Sequence, residues 1–292
     1  MAYCPNNKQK FLSKLFSKTV YALSILITFL GSLLFLYFGL RIFLFDTYTV
    51  NTGSMIPTIL PGDRIMVNKL IYGARLYRNL DFLRGGKLQT LRIKGCRGVD
   101  YNDVVVFNRA YPLAFDISQV YAKRCIGLPG DTIWIRDGQY QNSSISNRII
   151  EKHFSKTSFQ YIPETLHACY PNIEAMNWTI LNFGPLYLPR KGDHIVLDQI
   201  NTWLYLRLIG YENGDDIQFI IDAACSKDQP VQTYTFKENY YFMAGDNFAN
   251  SADSRYFGPI PETFIVGVVP FALYGSDPVS KKINYKRIFK RL

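Results

Sequence analysis

From position 20 to 40 the chain reads "VYALSILITFLGSLLFLYFGL", without a charged side chain. At the helical rise this run makes about 31 Å, close to the hydrocarbon thickness of a bilayer. The pattern predicts a transmembrane helix within 20–45, with a buried core helix as the competing reading. The run is long for a secretory leader, and no clear small-x-small cleavage site follows it. A retained signal anchor is therefore expected.

Beyond the anchor, short β-rich runs alternate with turn residues. "DRIMVNK" at 63–69, "DVVVFN" at 103–108, "QVYAKRCIGL" at 119–128 and "DTIWIRDG" at 131–138 each predict a strand. The pattern resumes with "DHIVLD" at 193–198. "WLYLRLIG" and "IQFIID" then read as strands flanking an Asn213-Gly214 turn, before "NYYFMAGDN" and "FIVGVVPFALYG". A mainly β architecture follows. Between about 139 and 190 the pattern is weaker, with short helices at most between Pro163 and Pro171. The basic, glycine-rich stretch at 82–98 predicts an exposed loop or hairpin.

An apolar fraction of 48% over 292 residues is enough for a packed core and excludes disorder throughout. The net charge of +10 points to an acidic partner. Its placement separates nucleic acid from lipid. Lys8, Lys10, Lys14 and Lys18 precede the anchor with no acid among them, which predicts a cytoplasmic 1–19 and an outer face for everything after it. Nucleic acid is accordingly not expected as a partner. The tail "KKINYKRIFKRL" is either solvated or rests on acidic headgroups of membrane lipid.

The five cysteines include no CxxC, and His153, His167 and His194 are scattered, so no metal site or cofactor is expected. Cys169 with Cys225 is the pair to test for a disulfide on the outer side. Spacing does not set the connectivity.

Chemistry on that side without a metal needs an activated nucleophile. Ser54, in "TVNTGSMIPTILPGD", is a candidate. None of the histidines lies in a loop that reads as its base. A lysine serves only if burial lowers its pKa. Lys123, among Val120, Ala122, Cys125 and Ile126, fits that demand, although it also reads as a solvent-facing residue on a half-buried strand. "MAGDNFANSADSRYFG" at 243–258 is a structured polar loop, either a turn held by an Asp253–Arg255 pair or a support for a buried lysine.

Taken together, "GSMIPTILPGDRIMVNKLIYG", "KRCIGLPGD" and "GDNFANSADSRYFGPIPE", in that order after an anchor, resemble the sequence boxes of bacterial type I signal peptidases. "DYNDVVVF" resembles a further box, with Asn102 where the family usually has glycine. The resemblance implies a β-rich catalytic domain at 46–136 and 237–275, an inserted β-rich lobe at 137–236, and a basic tail at 276–292. It implies Ser54 as nucleophile, Lys123 as general base, and Thr52 with the Ser54 N–H as oxyanion hole. Met55 would lie beside the cleft, Ser251 would orient the lysine, and Asp253 and Arg255 would brace the site.

It further implies cleavage of signal peptides from exported preproteins at small-x-small sites on the outer side of the cytoplasmic membrane, with the secretion translocon a candidate neighbour. Phe248 stands where the family commonly has arginine, so altered loop packing is expected there. A specialised precursor peptidase and a non-catalytic membrane-anchored binding module are the alternatives. Convergence of the boxes on one pocket would separate the latter.

Overall fold

The computed structural model describes residues 7–78, 89–109, 116–146, 169–173, 176–213 and 232–292. The apolar run forms α1, Asn7–Phe43, of which Lys14–Phe43 is long and apolar enough to cross a membrane and is unburied by the rest of the chain.

Leu44 alone separates α1 from the first strand, β1, Phe45–Thr49. β2, Asp63–Asn68, follows, then the single-turn helix α2, Lys69–Tyr72. β3, Arg75–Tyr77, and β4, Thr90–Arg92, pair as an antiparallel ribbon, so the described part of 82–98 contributes one arm of a hairpin. The central strands are β5, Val104–Arg109, and β6, Asp116–Gly127.

A second, three-stranded sheet holds β7, Thr132–Arg136, between β8, Gln139–Asn142, and β9, Phe183–Tyr187. β10, His194–Leu197, leads into helix α3, Gln199–Asn213, and pairs with β11, Gln232–Thr235. The chain then returns through β12, Tyr240–Ala244, the short helix α4, Ser254–Phe257, and β13, Ile260–Pro261. It ends with β14, Ile265–Ser276, β15, Ile283–Asn284, and β16, Lys290–Arg291.

The main antiparallel sheet runs β1-β2-β14-β5-β6-β12-β13, with β15 and β16 also on β14. Apolar side chains cover both of its faces. Met55, Ile65, Val104, Val106 and Val266 pack on one side; Val105, Phe107, Cys125, Met243 and Ile265 pack on the other. The alternation of Val104 to Phe107 between the two clusters is the period of a strand buried on both faces. The tail is part of this sheet rather than free chain: Arg287 is buried and paired with Asp63.

"WLYLRLIG" is a correction. It is the middle of helix α3, not a strand before an Asn213-Gly214 hairpin. Thr202, Tyr205, Ile209 and Glu212, with Leu204 and Leu208, are buried at spacings of three and four, the helical period. Asp198 starts the helix by accepting the Asn201 N–H at 2.7 Å on its side chain. The aromatic and branched content suggested a strand, whereas burial of one helical stripe against Phe236, Tyr240 and Tyr170 decides the outcome. Gly214 and "IQFIID" lie outside the described residues.

The insertion is not an independent body among the described residues: its core includes Ile126, Phe242, Ala244 and Phe248 from the main sheet and the loop after it. Cys169 is a buried thiol, free among the described residues, and Cys225, the partner suggested for it, lies outside them.

Candidate active site

Three segments far apart in sequence meet at the end of β6. The first is the loop after β1. Its backbone is closed by Val50 N–H donating to Asp63 O at 2.8 Å and Ile59 N–H donating to Met55 O at 2.9 Å. Ser54 therefore sits on a tightly bonded turn, and its own carbonyl accepts the Asn247 N–H at 3.0 Å. Asn247 also donates from Nδ2 to Gly53 O at 3.1 Å.

The second segment is β6, on which Lys123 is only 2% exposed. Its Nζ lies 2.5 Å from Ser54 Oγ. Burial lowers the lysine pKa to about 8; Asp253 and Asp246 pull it up and Arg255 pushes it down further, so desolvation wins. The expectation of a lysine on a buried strand is met in this geometry.

The third is the loop after β12. Arg124, next to Lys123, donates to both Asp246 oxygens at 2.7 and 2.6 Å. Asp253 receives Arg255 at 2.8 and 2.9 Å and the Gly245 N–H at 3.0 Å. Burial alone would raise the Asp253 pKa, but the Arg255 charge and these donors hold it below the usual carboxylate value. Both ion pairs are buried, so loss of one partner would strand a charge.

Gly245 is the contact point between loops. A β-carbon there would lie 2.1 Å from Ser251 Oγ and 2.5 Å from Ser54 O. No side chain fits.

Thr52 Oγ1 lies 3.4 Å from Ser54 Oγ, and Met55 and Thr52 both line a cleft of about 410 Å³ that opens over Ser54 and Lys123. Tyr48, Val50, Val120 and Ala122 give that cleft its apolar wall. Ser251 Oγ is buried without a hydrogen bond of good geometry, although its nearness helps keep the Asp253 pKa low. The Lys123–Ser251 hydrogen bond implied by the resemblance is not formed in this structure.

A family profile described as signal peptidase, peptidase S26, matches residues 23–274. The chain belongs to the S26 signal peptidases. It is similar to signal peptidase I of Buchnera aphidicola subsp. Baizongia pistaciae, 31% identical over 82% of this chain and 73% of that one. Signal peptidase I of Rickettsia massiliae is 34% identical over 77% and 70%. That of Pseudomonas aeruginosa is 27% identical over 86% and 72%.

As a signal peptidase of the bacterial type I family the chain is a peptidase, with a mainly β fold and one N-terminal apolar helix. Its departures from the family's usual sequence have local explanations. Asn102 has φ 64°, the left-handed region where glycine is favoured and asparagine is the best tolerated substitute. Phe248 is buried over the Arg255 guanidinium at 4.2 Å and edge-on to Tyr140 at 5.5 Å. An arginine in its place would bring a second guanidinium to the first.

Sequence reasoning about this signal peptidase missed Arg124, Gly245 and Tyr170. Arg124 was visible only as the neighbour of Lys123, and Gly245 only as half of a Gly-Asp pair. Tyr170 comes from the insertion: its N–H donates to Arg255 O at 2.8 Å, and its ring packs against Gly258. Nothing in the local sequence announces that contact.

Proposed function

We propose that Ser54 and Lys123 are the catalytic pair of a membrane-anchored signal peptidase I. The buried 2.5 Å approach of Lys123 Nζ to Ser54 Oγ carries the reading. With its pKa near 8, the lysine is neutral in an appreciable fraction of molecules around neutral pH, which a solvent-exposed lysine is not. Neutral Nζ takes the Ser54 proton as Oγ attacks the carbonyl carbon at the cleavage site. The carbonyl oxygen becomes an oxyanion, placed against the Thr52 hydroxyl and the Ser54 N–H. Such donors typically lower the barrier by about 3 to 4 kcal/mol each.

Collapse breaks the C–N bond, and the lysine returns its proton to the departing amine of the mature protein. The acyl-enzyme on Ser54 Oγ is then attacked by water, whose proton passes to Nζ and on to Ser54 Oγ as the acyl C–O bond breaks, and the signal peptide leaves with a free carboxylate. Asp253 and Arg255 keep the Ser251 loop in place.

The cleft suits an extended peptide. β12 pairs with β6 only as far as Arg124, so among the described residues no strand occupies that side of β6 from Val120 to Lys123. A substrate strand adding there would place alternate side chains against Val50 and Ala122, which favours small residues. An apolar helix with lysines before it supports a cleft on the outer side of the cytoplasmic membrane, where signal peptides end. Three distant segments converging on one cleft is not something a purely structural binding module requires.

The test incubates the purified full chain with a preprotein carrying an Ala-x-Ala site, beside Ser54→Ala and Lys123→Ala. Cleavage at that site by the parent and none by either variant is the expected outcome; cleavage by either variant sinks the pair.

A further inference from the structure

The joint between α1 and β1 carries a charged cluster that the cleavage chemistry does not use. With Leu44 as the sole intervening residue, there is no linker. Leu44 N–H still donates to Leu40 O at 2.9 Å, continuing the helix, while Leu44 O accepts the Lys69 N–H at 2.8 Å from α2.

Asp46, the second residue of β1, is largely buried at this joint. Its carboxylate receives Arg41 Nη2 at 2.6 Å and Nε at 3.1 Å from the last turn of α1. Lys69 Nζ lies 3.5 Å from its other oxygen and donates at 2.6 Å to the Arg41 carbonyl, one of the groups a helix end leaves unpaired. The Thr47 N–H and Tyr48 hydroxyl complete the set at 2.9 and 3.4 Å. One carboxylate thus ties the end of the apolar helix, the first strand and α2 together.

A flexible connection of n residues would let the domain wander by roughly 5–6 Å times the square root of n. This joint removes that freedom. From β1 the chain runs directly into the loop of Ser54, whose position is fixed on β12's loop by Asn247.

We infer that Asp46, with Arg41 and Lys69, is a positioning lock that holds Ser54 at one height above the bilayer and so selects which of several cleavable bonds in a preprotein is cut. The inference rests on the reading of α1 as a membrane anchor and Ser54 as nucleophile. A locked height matters only for a substrate whose own helix is held in the same membrane. A short soluble peptide diffuses to the cleft without reference to the bilayer.

The test uses the full chain in vesicles of phosphatidylethanolamine and phosphatidylglycerol. The membrane-inserted substrate is a preprotein with two Ala-x-Ala sites a few residues apart after its apolar segment. The control is a soluble peptide with one such site. Asp46→Asn, Lys69→Met and a Gly-Ser-Gly insertion between Leu44 and Phe45 are compared with the parent. The insertion keeps every side chain and breaks only the joint, so it answers the question even where a substitution impairs folding.

The expected result is that the parent favours one site and the altered chains lose that preference by about tenfold, with kcat/KM on the soluble peptide unchanged. An unchanged site ratio in the insertion chain overturns the lock. So does an equal fall on both substrates, which would mean a structural role only. Failure of the parent on the soluble peptide would instead overturn the serine-lysine reading beneath it.

Discussion

Lys123 Nζ stands 2.5 Å from Ser54 Oγ, although the two residues are 69 positions apart, and the lysine is buried. Burial of a cation is unfavourable, and the molecule lowers that penalty by letting the proton leave near pH 8 rather than near 10.5. The same fact makes the amine usable as a base.

The first prediction concerns pH. With Lys123 as the proposed base, cleavage requires its neutral form, so kcat/KM rises about tenfold per unit below pH 8 and levels off above it. The folded pKa lies below the unfolded one, so between about pH 8 and 10.5 the unfolded chain keeps a proton the folded one has released. Stability attributable to this group therefore rises with pH across that window. Lys123→Arg, which stays protonated, should lose activity at every pH. A pH–rate profile on a soluble peptide checks the activity, and a flat profile from pH 6 to 9 would contradict it; chemical denaturation at several pH values checks the stability.

Asp253 offers a second check, because its charge raises the lysine pKa. Asp253→Asn should move the rising limb of the profile to lower pH. It also leaves the buried Arg255 unpaired, at a cost of about 3 to 5 kcal/mol. Chemical denaturation and the pH profile read the two effects separately. A limb that moves the other way would show that the carboxylate acts on something other than Lys123.

Phe248 gives a third. Phe248→Ala should lose about 3 to 5 kcal/mol of stability by vacating its buried place between Arg255 and Tyr140. Phe248→Arg should also destabilise this chain by crowding like charges. Thermal unfolding distinguishes the outcomes, and an arginine variant as stable as the parent would refute the packing account.

Gly245→Ala is the fourth. The added carbon meets Ser251 Oγ and the Ser54 carbonyl, so Ser54 must shift. Cleavage should fall on the order of 100-fold with the fold retained. Near-parental activity would mean the loops separate freely.

Much of this was legible in the sequence because burial writes itself into spacing. Val104 to Phe107 read as apolar on both faces, whereas Lys123 was legible only as either a buried base or a solvent-facing residue, and the fold, which leaves it 2% exposed, decides between them. α3 was misread because Trp203 and Tyr205 are enriched in strands and the dense apolar run has no clear polar face, and only the distant partners Phe236 and Tyr170 show which stripe is covered. Asp198 was a helix-start signal taken as the end of a strand. The contacts of Gly245, Arg124 and Tyr170 were invisible for another reason: each joins segments whose adjacency only the folded sheet defines.

The pairing of β6 with β12 has one more consequence. Arg124 lies opposite Ala244, so the chain that leaves the main sheet after β6 re-enters it about 4.8 Å away, one strand spacing. The intervening segment is a closed excursion. Flexible connections within it can lengthen without moving either end, each doubling costing only about 0.6 kcal/mol in closure entropy, whereas the parts packed on Phe242 and Arg255 are held in place. Changes of length confined to those connections therefore leave the geometry at Ser54 constant.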